Sequence, residues 1–181
     1  MALPQARSAG KTKTKRRAKA KTPAAAPSFR AMDRRRIDAL LARNHVGRIA
    51  YSFQDRVDIE PIHYVFDDGV LCLRTSPGSK LTTVRHNPWV AFEVDEVRGL
   101  FAWRSVVVHG TLYATEDGTD PLAHAIYERT LARLRTLVPG TFHEDDPVPF
   151  RYVLFRLHIA EATGREASSP APRAPRAPRR G

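Results

Sequence analysis

The chain predicts a mainly β, α+β fold: a small closed or partly closed barrel of six short strands, flanked by a few short helices. Three observations lead there. Six β-like runs rich in Val, Ile, Phe and Tyr fall between residues 46 and 162. Only three stretches carry helical periodicity. The charged, proline-rich residues concentrate at the two ends, leaving a middle with enough apolar material for one core.

The elements follow in order. Ile37, Leu40 and Leu41 recur at i, i+3, i+4 behind Asp33, a candidate N-cap, and predict a short amphipathic helix over 33–43. Val46–Phe53, Val57–Phe66 and Val70–Thr75 read as strands, with Asp67-Asp68-Gly69 as a tight hairpin signal between the last two. Pro77-Gly78 turns the chain into a helix of about two turns over 79–87, ended by Asn87-Pro88. Trp89–Asp95 and Trp103–Ala114 are further strands. Leu122, Ile126, Leu131, Leu134 and Val138 mark a helix over roughly 120–137, and Arg151–Ala162 closes the domain.

Of 181 residues, 30 are Lys or Arg and 19 Asp or Glu, a formal charge of +11. Residues 1–27 hold eight bases and no acid, and 167–181 hold four bases and no acid, so the middle carries 18 bases against 19 acids. The basic character therefore belongs to the ends. Half of the 14 prolines lie there too, and Ala-Pro-Arg recurs three times over 171–179. Such segments bury too little apolar surface to offset ordering entropy, which predicts two disordered tails around a domain at 28–166. Non-specific nucleic-acid contact, if the chain makes any, is expected of those tails alone.

Several classes are not expected. No apolar run approaches the ~18 residues of a membrane span. A secretory leader is not expected, since the basic N-terminus lacks an apolar stretch, and KTKTKRRAKAK has no apolar face of a transit helix. Cys72 is the single cysteine, so neither an internal disulfide nor a CxxC metal site is possible, and a cytoplasmic setting fits. The seven histidines show no HxH, HxxxH or HExxH spacing, so no metal site is expected. Glu144-Asp145-Asp146 reads as a solvated loop.

Three segments could carry chemistry. In Arg74-Thr75-Ser76-Pro77-Gly78-Ser79-Lys80 a strand turns into a helix N-terminus, whose free N–H groups and dipole favour an anion. Thr75, Ser76 and Ser79 add hydroxyls, Arg74 and Lys80 add charge, and Lys80 is the only lysine between the tails. Equally, Ser79 could cap the helix and Lys80 be a solvated residue. In Trp103–Gly110, period two separates Trp103, Ser105, Val107 and His109 from Arg104, Val106 and Val108, with the two valines suited to a barrel interior. An ordinary barrel strand explains that run as well. In Val57–Val65, Pro61 implies an edge or bulge, so the backbone beside His63 and Tyr64 faces a gap or a ligand. His63 alone is as readily a structural residue.

Taken in order, these segments resemble the pyridoxamine 5′-phosphate oxidase-like family of flavin-binding split barrels, and its nitroimidazole-resistance-type branch in particular. The resemblance spans roughly residues 30–166. It rests on Val46-Gly47-Arg48-Ile49-Ala50, Pro61-Ile62-His63-Tyr64, Leu73-Arg74-Thr75-Ser76 with Gly78-Ser79-Lys80, Asn87-Pro88, Val94-Asp95, Trp103-Arg104-Ser105-Val106 with Gly110, and Thr163-Gly164-Arg165. It implies a six-stranded split barrel, a homodimer, and FMN in two clefts at the subunit interface. Thr75, Ser76, Ser79 and Lys80 would then hold the FMN phosphate. Pro61, Ile62, His63 and Tyr64 would line the isoalloxazine edge, largely through backbone. Ser105 would contact the ring beside Val106, and Trp103 would wall the cleft. Ile59 stands where a vitamin-B6 oxidase would carry a phosphate-binding arginine, so the resemblance implies flavin-mediated electron or hydride transfer to a small-molecule acceptor instead. No side chain is assigned as a catalytic acid or base. Related split barrels bind deazaflavin or haem, and others bind flavin without turnover.

Overall fold

The computed structural model describes residues 26–169, apart from the side chains of Ser79 and Lys80. The expected basic tails lie largely outside the described residues. Seven strands form: β1 (Ser28–Ala31), β2 (Val46–Phe53), β3 (Arg56–Asp67), β4 (Val70–Thr75), β5 (Trp89–Gly99), β6 (Ala102–Thr115) and β7 (Val153–Ser168). Three helices accompany them: α1 (Arg34–Arg43), α2 (Ser79–His86) and α3 (Pro121–Leu137).

Local chemistry sets the boundaries. Asp33 and Asp120 cap α1 and α3, accepting from the N–H groups of Arg36 (2.9 Å) and Ala123 (3.0 Å). Two-residue turns join β2 to β3 and β3 to β4. Both residues of each turn have positive φ: Gln54 and Asp55 in the first, Asp68 and Gly69 in the second. That is the hairpin geometry matching strand twist, and it favours Asn-Gly. Gln54-Asp55 is the poorer fit. Replacing it with Asn-Gly is expected to raise stability by about 1 kcal/mol in denaturant titration, with the same steepness of unfolding.

The sheet order is β1-β7-β4-β3-β2-β5-β6, and β6 pairs again with β7. The six strands β2 to β7 therefore close on themselves. The correction to the expected six-strand count is β1, which pairs with the far end of β7 (Ser28↔Ser168 to Ala31↔Arg165). On that side β7 pairs with β4 only over Val153–His158. Between these two stretches the barrel is split, and α1 closes the gap. A Cβ on Gly164 would lie 2.8 Å from Met32 Cβ and 2.9 Å from Ile37 Cγ1, so only glycine admits this approach.

Alternating side chains fill the interior: Ile49, Ile62, Tyr64, Leu71, Leu73, Phe92, Val106, Val108 and Leu157. The Tyr64 hydroxyl donates to the Leu41 carbonyl at 2.9 Å, tying α1 to the core. A smaller outer cluster, Val65, Cys72 and Leu154, is covered by Leu131 and Leu134 of α3. β4 is thus buried on both faces, which explains its unbroken apolar run. The cover also pushes the Cys72 thiol up to about 11, which keeps it a protonated, unreactive thiol. No helix among the described residues is long and apolar enough to cross a membrane.

Candidate functional site

β3 carries the first half of the site. β4 accompanies it only from Tyr64 to Asp67, whereas β2 pairs with it from Arg56 to His63. Its first half is thus a free edge on one side. The Tyr64 N–H donates to the His45 carbonyl of the β2 side at 3.0 Å. Bonded and non-bonded pairs alternate along an antiparallel ladder. Ile62 and Glu60 therefore also turn their backbone groups to β2, while Pro61 and Ile59 turn theirs to the open edge. Pro61 sits where its missing N–H costs nothing, and the expectation of an edge is met. Val57, Ile59, Pro61 and His63 are all exposed along this strand.

The second half follows where the chain leaves the sheet after Thr75. Thr75 is buried, Ser76 half-buried, and Pro77 and Gly78 exposed. Gly78 has extended backbone with nothing within 4 Å of where a Cβ would stand. No side chain caps α2, in contrast to α1 and α3, and its first turn holds no acid. Its N-terminal N–H groups therefore retain the capacity to bind an anion. The backbone of Ser79 and Lys80 forms that first turn, and their side chains lie outside the described residues.

Two expectations in this region are corrected. Arg74 does not offer a free cation. Its guanidinium is 5% exposed and makes two hydrogen bonds to Asp146, itself 1% exposed, at 2.6 and 3.0 Å. Asp146 is accordingly not in a solvated loop: it also accepts the N–H groups of Phe142 and Val148, both at 3.0 Å. Arg74 and these two N–H groups hold its carboxyl well below the usual carboxylate range. An arginine directly after the apolar run Val70–Leu73 in the same strand calls for an acid once it is buried, although nothing local names Asp146.

The side chains of Ile62, Tyr64 and Val106 point into the core, and the backbone groups of Ile62 and Tyr64 face β2, so at the open edge it is Pro61 and His63 that would face a ligand. His63 is exposed, and its Nδ1 lies 3.4 Å from a guanidinium nitrogen of Arg151, a neighbour that sequence reasoning missed. Ser105 faces outward as expected, and its hydroxyl donates to Glu93 at 2.8 Å. Glu93 and Asp95 also bind Arg48, a polar cluster formed across three strands that no local motif announces. Trp103 is half-buried and packs at 6.3 Å against Phe29 of β1.

Within one chain the β3 edge and the outer face of β6 do not meet. β2 and β5 separate β3 from β6, three strand spacings or roughly 14 Å. Pro61 and His63 lie just beyond the Tyr64↔Leu73 pair on β3, and Thr75 and Ser76 just beyond it at the end of β4, while Trp103 and Ser105 lie around the barrel on its outer face. Among the described residues no group of three His, Cys, Asp or Glu is placed to hold a metal ion.

The comparisons agree with this architecture. The family model described as pyridoxamine 5′-phosphate oxidase matches residues 33–166. An uncharacterized protein of Rhizobium meliloti (strain 1021) is 32% identical over 147 residues, covering 76% of this chain and 95% of that protein. The crystal structure of a FAD-binding protein from Mesorhizobium loti shares 28% identity at a TM-score of 0.62, covering 77% of this chain and 99% of the other. A Bacteroides thetaiotaomicron protein named for 5-nitroimidazole antibiotic resistance shares the fold at a TM-score of 0.57 and 14% identity, with 79% and 90% covered. The family-model match over residues 33–166, with the split barrel in accord, places the chain in the pyridoxamine 5′-phosphate oxidase family.

Proposed function

We propose that this chain binds a flavin, FMN by preference, as a homodimer, and serves as a flavin-dependent oxidoreductase. The observation that carries this reading is the uncapped N-terminus of α2, open at Gly78, together with the free edge of β3, the two following the same Tyr64↔Leu73 pair of β3 and β4. A phosphate fits the first and a flat heterocycle with hydrogen-bonding edges fits the second. Thr75, Ser76, Ser79 and Lys80 would hold the phosphate. The backbone of Pro61 and His63 would line the ring edge, with Ile62 and Tyr64 holding that strand to β2 and the core. FAD shares the ring and the first phosphate of FMN, so the FAD-binding neighbour supports the same assignment.

A bound flavin would supply electron or hydride transfer between a donor and a small-molecule acceptor. The chain's own residues orient and shelter it. Trp103 and Ser105, around the barrel from the phosphate site, can join it only from a second copy. An apolar outer face supports that pairing: Val46, Val57 and Ile59 are each more than half exposed. Val57→Glu, on the same exposed face, is expected to yield a monomer in sedimentation and to lose flavin with it, because each cleft needs both copies. A monomer that keeps full flavin affinity would refute the shared cleft. The single buried thiol suits a cytoplasmic setting.

The binding itself is tested by thermal unfolding with added FMN, FAD and riboflavin. FMN at a hundred times its Kd is expected to add about 2.7 kcal/mol of stability. A Tm that none of the three moves would overturn the proposal. A shift with deazaflavin or haem alone would keep the barrel and change the ligand.

A further inference from the structure

We infer a second binding site, for a small organic monocarboxylate, between α3 and the outer face of β6 and β7, with Arg156 as its anchor. It shares no residue with the flavin site proposed above and does not rest on that reading.

Arg156 stands in register between Cys72 of β4 and Tyr113 of β6. Its Nε is buried and has no hydrogen-bond partner. No carboxylate among the described residues pairs with it. Asp67, which shares the electrostatic neighbourhood of Cys72 with Arg156, is held by Arg129 and Arg133 of α3 at 2.8 and 2.9 Å. Desolvating a guanidinium N–H without a partner is costly, and native structures rarely leave such a group without an ion or water.

The surroundings define what would fit. Tyr113, Thr115, Ala123, Ile126, Arg156 and His158 line a depression of about 290 Å³. The His158 ring stands edge-on to Tyr113 at 5.6 Å, and partial burial together with Arg156 pushes its pKa down, so it is a neutral hydrogen-bonding group at pH 7. One planar guanidinium suits one carboxylate. Ala123, Ile126 and the tyrosine ring suit an apolar body behind it. Glu116, exposed in the same lining, opposes a second negative charge and disfavours phosphate esters.

Benzoate is the probe, titrated calorimetrically into the full chain with and without saturating FMN. Saturable binding is expected in both cases. Arg156→Met is expected to weaken it by roughly tenfold or more while its Tm stays close to that of the parent, since the buried Nε that it removes has no hydrogen-bond partner. Arg156→Gln carries the same comparison should Arg156→Met not fold. Lys80→Ala is expected to leave benzoate affinity unchanged. The proposal is overturned if benzoate does not bind, if Arg156→Met and Arg156→Gln bind it as the parent does, or if FMN displaces it.

Discussion

Asp146→Ala is expected to destabilise the protein by about 3–5 kcal/mol, the range for stripping one partner from a buried ion pair. Arg74 would be left as a 5% exposed cation inside the barrel wall, and two N–H groups would lose their acceptor. Replacing both members, Arg74→Met with Asp146→Leu, is expected to recover most of the loss, because the cost lies in the orphaned charge. Chemical denaturation of the three variants measures this; equal losses in the single and the double would contradict it.

The same carboxylate predicts how stability follows pH. Asp146 titrates lower in the folded state than in the unfolded chain, so its contribution is complete above the unfolded carboxylate range near 4. It is lost as pH falls through the depressed folded value. Asp67, held by Arg129 and Arg133, behaves alike, and Arg43 holds Glu96 down to about 2. Unfolding free energy is therefore expected to decline steadily below about pH 4, and less steeply in Asp146→Asn.

The second large effect concerns the ligand. Lys80→Ala is expected to weaken FMN binding by about 10- to 100-fold, the worth of one charge-assisted phosphate contact of roughly 1.5–3 kcal/mol. Riboflavin, which lacks the phosphate, is expected to bind both proteins alike. That contrast separates phosphate recognition from general damage. Equal losses for FMN and riboflavin would assign Lys80 a structural role, and unchanged FMN affinity would remove it from the site.

Most of the fold was legible because its signals are local. The three helices and the Asp67–Gly69 hairpin announce themselves by periodicity, caps and turn chemistry. What was not legible is non-local. Ser28–Ala31 is four residues with no apolar alternation, a strand only because β7 runs on to Ser168 beside it. The sequence showed Arg74 next to an anion-binding turn but not its partner 72 positions later. Val106 and Ser105 were separated correctly by period two. The hydroxyl's commitment to Glu93 depended on the β5–β6 register. The free edge at Pro61 was foreseen from one proline, while the neighbouring Arg151 lies 88 positions away.

The most direct test of the flavin assignment is the visible absorption spectrum of the purified full chain, before and after denaturation. The purified protein is expected to be yellow, with flavin absorption, and to release free flavin when unfolded. A colourless protein that stays colourless after incubation with FMN and FAD would contradict the assignment.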